Sequence, residues 1–339
     1  MQHLEREITD PVLLCDTKGQ LNPNAIGFAR KPLIESNLRG HFLRKKRWNY
    51  WCIFGTEIVF SVTVSHFDYA AACSVYFLNY ENQRFYEKSL ILPFAKSMKL
   101  APKAFEEYRF SHEGLIIELI ERKNQTFMSV KTQDFDGEPL QADLKIDHPA
   151  SRDSLNVVIP RNRNLFQLTG KHLNLPVSGI VRIGDQPFTF DPADSFAVLD
   201  CSRGVWPRET AKNWAVASQL VFGKEIGLNF GGKWTDGSGM TENAFIVDGR
   251  LTKIHEDVLF NYVKSDYTAP WEIQTKFSDD VHLTFTPFFE RTAESNLRLL
   301  KSEVHQLFGY FNGYVRYADG RKLRIRQLLG AVEEQYAKW

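Results

Sequence analysis

Residues 44–66 read RKKRWNYWCIFGTEIVFSVTVSH, and the spacing of their apolar side chains decides the fold class. Between Ile58 and Val64 the even positions are all apolar, whereas Ser61, Thr63 and Ser65 hold most odd ones. Successive side chains of a strand point to opposite faces, so a period of two marks a half-buried strand. Trp48, Tyr50, Cys52 and Phe54 share one face of the segment before it, and Gly55-Thr56 supplies the turn. The basic run Arg44–Arg47 reads as a solvated edge that discourages pairing with another sheet.

The same signature recurs downstream. Val281, Leu283 and Phe285 alternate with His282, Thr284 and Thr286, and Ile226–Gly231 alternates large apolar with small or polar residues. Asp-Gly pairs at 136–137, 248–249 and 319–320 sit between strand-like runs. An Asp-Gly pair tolerates the positive φ values of a hairpin turn whose twist matches the strands. Helical spacing is scarce: a short helix is expected over Pro207–Ala217, and another after Gly330, where Val332, Tyr336 and Trp339 share a face. The absence of repeated strand-then-helix units argues against a parallel α/β sheet. The chain reads as all-β, with antiparallel barrels or sandwiches in tandem, divided at the Asp191–Asp194 turn into residues 1–193 and 194–339.

Composition narrows the function classes. With 42 Lys+Arg against 41 Asp+Glu, no global field draws the chain to nucleic acid or an anionic membrane. The four cysteines are scattered, without a C-x-x-C pair, so neither a common zinc pattern nor a disulfide framework is expected. The nine histidines show no H-x-H or H-E-x-x-H spacing, and no metal or cofactor is expected. The charged start MQHLEREITD has no apolar core of a secretory signal and no window is long enough to span a bilayer, so a cytoplasmic location is the expectation.

Residues 200–248 hold the densest chemistry. Asp200 and Arg203 come just before Trp206, Trp214 follows, and Asn229, Asp236, Thr241, Glu242 and Asn243 lie among glycines. Apolar walls with a few convergent polar groups make a ligand pocket. Asp200 with Arg203 is either an orienting acid–base pair or an ion pair that pins the turn. Trp206 and Trp214, with Trp48 and Tyr50, either wall a pocket or plug a barrel end. Asp236-Gly237-Ser238-Gly239 is a loop at a barrel mouth or a plain solvent turn. If Asn243 faces into its barrel, Glu242 points outward or towards the other domain. Asp236 and Glu242 also raise a glycosidase-type carboxylate pair. His66, ending an apolar face, is a buried polar candidate. Gly231-Gly232 lacks the helix that follows a phosphate loop and reads as a bend in a strand.

Five stretches together carry a resemblance: RKKRWNYWCI (44–53), LDCSRGVWP (199–207), W-A-x-A-S from Trp214, GLNFGG (227–232) and TDGSGMTENAFIVDG (235–249). On them the chain resembles the domain of unknown function 2804 family, over nearly its whole length. That family is similar, more distantly, to carotenoid 1,2-hydratase-like and AttH-like proteins. The resemblance implies two tandem lipocalin-like (calycin) barrels and a hydrophobic small-molecule ligand, lipid- or isoprenoid-like, in an apolar pocket near the domain junction. On this reading Asp200 or Glu242 donates a proton in a hydration, isomerisation or cyclisation, aromatic faces stabilise positive charge, and Asn229 or Asn243 orients water. The alternatives are a non-catalytic carrier or sensor of the same ligands, and a carbohydrate-active β-sandwich with exposed tryptophans along a groove.

Overall fold

The alternating run at residues 44–66 folds as its turn demands. Lys45–Phe54 and Ile58–His66 pair antiparallel, and the Gly55 N–H closes the hairpin on the Ile58 carbonyl at 2.9 Å. In the computed structural model, which describes residues 4–93, 104–297 and 300–338, this hairpin belongs to a 13-stranded sheet. The path runs from the edge strand Phe85–Pro93 through Ala70–Asn79, the hairpin, Phe196–Val205, Leu165–Ile183, Glu138–Asp147, Gln125–Phe135 and Leu115–Glu121 to Tyr108–His112. A 9-stranded sheet follows, with Glu209–Val221 central, Lys224–Gly232 on one side and Lys322–Lys338 on the other. Asp248 (φ 48°) and Gly249 (φ 77°) take the positive φ values expected of their hairpin, as do Asp136 (57°) and Gly137 (93°).

Both sheets curl strongly. Phe60, Val75, Ile117, Val130 and Leu144, from strands far apart on the first path, meet in one apolar cluster, which the curl therefore encloses. Phe230, Phe245, Trp271, Leu283 and Leu307 do the same in the second sheet. Each side chain so buried contributes roughly 1.5–3 kcal/mol. Among the described residues the hydrogen-bonded paths do not close, so each unit is a half-barrel, filled by its own core. The fold is thus the all-β tandem arrangement that the sequence implies, with two corrections to detail.

The first correction concerns helices. The Pro207–Ala217 segment lies mostly in the strand Glu209–Val221, and the chain's last run is the strand Lys322–Lys338. Val332 and Tyr336 stand four apart, a spacing that returns to the same face in a strand as well as in a helix. Burial of Leu328–Val332 on both faces erased the alternation that would have told them apart. Trp339 lies outside the described residues. The only helical turn among the described residues is Pro23–Ala25.

The second concerns the odd face of Ile58–His66, which is not solvated. Val59 and Ser61 are fully buried. The outer faces of the two half-barrels pack against each other, joining Cys52, Phe54, Val59 and Tyr76 to Trp206, Trp214, Val216 and Phe308 in a third cluster. The strand Phe196–Val205 stays in the first sheet, so the chain crosses between sheets at residues 206–208, beyond the turn at 191–194.

Candidate active site between the two sheets

The strands of the first sheet place Lys171 directly opposite Asp200, and Asp200 in turn opposite Tyr50. All three are on the outer face, towards the second sheet. Glu242 arrives from that second sheet, on the segment preceding Ala244–Val247, and lies against Gly231. A methyl group at Gly231 would stand 2.0 Å from Glu242 Oε1, so glycine is what lets the carboxylate lie there.

The three side chains converge. Lys171 Nζ is 3.0 Å from Asp200 Oδ2 and 3.0 Å from Glu242 Oε2, and none of the three side chains is more than 3% exposed. Trp234 Nε1 donates to Glu242 Oε1 at 2.7 Å, whereas Oε2 accepts no aligned hydrogen bond. Asp200 accepts weakly from Thr169 Oγ1 (3.4 Å) and Trp48 Nε1 (3.5 Å). Burial pushes the Lys171 ammonium down, but Asp200 and Glu242 outweigh it and hold the pKa above its ordinary value. Lys171 Nζ also lies 4.7 Å above the Trp214 ring.

Asp200 forms part of the wall of a cleft of about 230 Å³ between the sheets. Trp48, Tyr50, Tyr76, Trp206 and Trp214 give it aromatic sides. Their rings brace one another, Trp48 on Trp206 at 4.9 Å and Tyr50 on Trp214 at 5.6 Å. The other charges on the wall are already paired: Arg291 with Glu87 at 2.6 Å and Lys212 with Glu333 at 3.2 Å. A larger cavity, about 450 Å³, opens beside the first half-barrel between Pro11–Leu13, Phe105, Leu168 and Cys201. Its charged side chains are the exposed Glu35 and Arg203, which Asn49 and Glu106 engage. The buried charge cluster therefore borders the smaller space, through Asp200.

Several expected site residues converge there and others do not. Asp200, Trp48, Tyr50, Trp206 and Trp214 line the cleft, and Glu242 stands behind Lys171. Asp200 and Arg203 are not partners: three positions apart on a strand, they face opposite sides. Arg203 donates instead to the Trp48 carbonyl, Asn49 Oδ1 and Glu106 Oε1. Asn229 braces the site from behind, accepting from Trp214 Nε1 at 2.8 Å and donating to the Glu242 carbonyl at 2.6 Å. Asn243 accepts from the Gly231 N–H and donates to the Glu256 carbonyl, and Thr241 bonds Glu5 and the Ile254 carbonyl. Neither faces the cleft. Asp236 is exposed and caps the Lys233 N–H, and His66, on the opposite face of its strand from Thr63 and Ser65, accepts from the Asp68 N–H.

Sequence reasoning missed Lys171, Arg291, Gln306 and Glu333. Lys171 did carry a signal. It stands in LFQLTGKHLNLPV (165–177), where a charged residue interrupts a run otherwise fit for two-sided burial and so requires an acidic partner.

Fold and site together define an all-β tandem half-barrel protein with a charged, aromatic cleft between its sheets. The chain belongs to the domain of unknown function family DUF2804, whose model matches residues 5–339. A comparison with curated protein sequences returned no significant match. Among solved structures, it is similar to kievitone hydratase from Nectria haematococca, with 9% identity and a TM-score of 0.46, over 87% of this chain and 88% of that one. It is also similar to a candidate AttH from Nitrosomonas europaea, with 10% identity and a TM-score of 0.48, over 88% and 94% of the two chains. No helix among the described residues is long and apolar enough to cross a membrane.

Proposed function

We propose that this protein binds an apolar small molecule in the cleft between its sheets and catalyses a proton-transfer reaction on it, such as hydration or isomerisation of a carbon–carbon double bond. The observation that carries the reading is the buried Asp200–Lys171–Glu242 cluster, with Asp200 forming part of an aromatic wall. Two carboxyl groups face one ammonium. Taking up one proton, on one carboxyl, leaves the cluster electrically neutral, so it can carry a proton through a reaction cycle. Asp200 in its acid form delivers its proton to the ligand, and the faces of Trp48, Trp206 and Trp214 stabilise the developing cation. Water that adds to the cation releases a proton, which returns to the cluster and restores the acid. Asn229 acts here through Trp214 and Glu242; it does not orient the water, because it lies behind the wall.

A non-catalytic carrier needs the aromatic cleft but not a proton donor on its wall, and the converged carboxylates favour the enzyme. A sugar-binding groove is disfavoured, since no described tryptophan is exposed. Native mass spectrometry of protein purified from its own host identifies any retained molecule, and turnover of that molecule is then measured in the wild type and Asp200→Asn. The expected result is retention by both and loss of turnover, about 10²-fold or more, in the variant. Full turnover in Asp200→Asn removes the acid assignment, and binding without turnover in either protein favours the carrier.

A further inference from the structure

Gln306, on the strand Leu300–Arg316, lines the cleft and is 1% exposed. Its Nε2 donates to Tyr50 Oη at 3.0 Å, but its Oε1 has no hydrogen-bond partner. Among the described residues no side chain of the wall donates to it. Tyr50 Oη is already shared with Tyr76 Oη at 2.7 Å, and burial holds both phenols well above their ordinary pKa, so each keeps its single O–H. Turning the amide over only exchanges the orphan: Oε1 would then face Tyr50 and Nε2 would lack a partner. A buried amide atom without a partner is costly, and one that borders a ligand-sized space is satisfied by what enters that space.

The placement gives the orphan a meaning. Tyr50 lies between Gln306, to which it is hydrogen bonded, and Asp200, its register partner across the strands. A molecule filling the cleft therefore has Asp200 on one side of Tyr50 and Gln306 on the other. We infer that Gln306 is a specificity-determining residue, whose Oε1 accepts a hydrogen bond from a hydroxyl or N–H group of the ligand. The ligand class is an apolar body carrying one such donor, a phenol or alcohol and not a plain hydrocarbon. This rests on the cleft being the ligand site.

The test compares 4-ethylphenol with 4-ethylanisole, which differ by the donor hydrogen. Each is titrated into the full chain while the indole N–H NMR signals of Trp206 and Trp214, on the cleft wall, are followed. The wild type is expected to bind the phenol about tenfold more tightly, the worth of one hydrogen bond to a buried acceptor. In Gln306→Leu the preference falls to about one, with the anisole bound no more weakly than before. A wild-type ratio near one, or a tenfold preference that survives in Gln306→Leu, overturns the assignment. The wild-type ratio is decisive even if the variant does not fold. If neither probe shifts the indole signals, the reading of the cleft as a ligand site fails, and the inference with it.

Discussion

Replacing Lys171 by Met removes the ammonium and keeps the unbranched side chain, one atom shorter. One ionised carboxylate 3.0 Å from Lys171 Nζ is worth about 5–6 kcal/mol at an effective dielectric constant near 20. The lost cost of burying the ammonium offsets part of that, leaving the roughly 3–5 kcal/mol typical of a buried ion pair robbed of one partner. With a urea m-value of about 2–3 kcal/mol/M, the midpoint falls by about 1–2 M at pH 7. Adding Asp200→Asn and Glu242→Gln removes the stranded charge and restores most of the loss. The pH dependence has a definite sign. The folded pKa of Lys171 is raised above its ordinary 10.5, so its contribution is whole below that pH and is lost as pH rises through the folded value. Lys171→Met lacks this alkaline loss. Urea unfolding monitored by tryptophan fluorescence measures all of it. A midpoint shift under about 0.3 M, or a triple variant no more stable than Lys171→Met, refutes the reasoning.

Gly231→Ala places a methyl group 2.0 Å from Glu242 Oε1, so the carboxylate must leave Trp234 Nε1. The expected cost is about 2 kcal/mol, read by urea unfolding, together with a downfield-to-upfield shift of the Trp234 indole N–H signal. His172 is pushed down to about 3 by burial, with His148 adding to the effect, whereas the unfolded state takes up a proton near 6.5. Stability therefore falls by about 1.4 kcal/mol per pH unit on acidification from 6.5 towards 3, and a pH series of unfolding midpoints shows a shallower slope in His172→Phe. All four cysteines are free and buried, and burial pushes the Cys52 and Cys73 thiols up to about 12. An aromatic disulfide reagent should label none of them in the native protein and all four in urea.

Much of the architecture was legible because strands announce themselves locally. Period-two runs and Asp-Gly turns are decided by side-chain direction and φ within a few residues, and the hairpins at 136–137 and 248–249 form as read, whereas at 319–320 only Gly320 takes a positive φ. The failures share one cause, burial on both faces. It turned the odd face of Ile58–His66 into an inter-sheet surface, and it let Val332 and Tyr336 pass for a helix. The site was half legible. That Asp200, Trp206, Trp214 and Glu242 come together was readable because glycines, tryptophans and carboxylates crowd one stretch of sequence. Lys171 and Gln306 stand on strands whose neighbours in sequence are ordinary. Only the pairing of Leu165–Ile183 with Phe196–Val205 sets Lys171 against Asp200, and only the packing of one sheet on the other brings Gln306 to Tyr50. Asp236 and His66 lie off this cleft for the converse reason, since residue type alone does not show which face of a strand, or which side of a turn, looks into a cleft.

The most direct test is a crystal structure of the protein purified from its own host, with whatever small molecule it retains, or soaked with 4-ethylphenol if it retains none. The account predicts ordered density between the rings of Tyr50, Trp206 and Trp214, within hydrogen-bond reach of Gln306 and in contact with Asp200. Density confined to the cavity beside Phe105 and Cys201, with only water between the sheets, would contradict it.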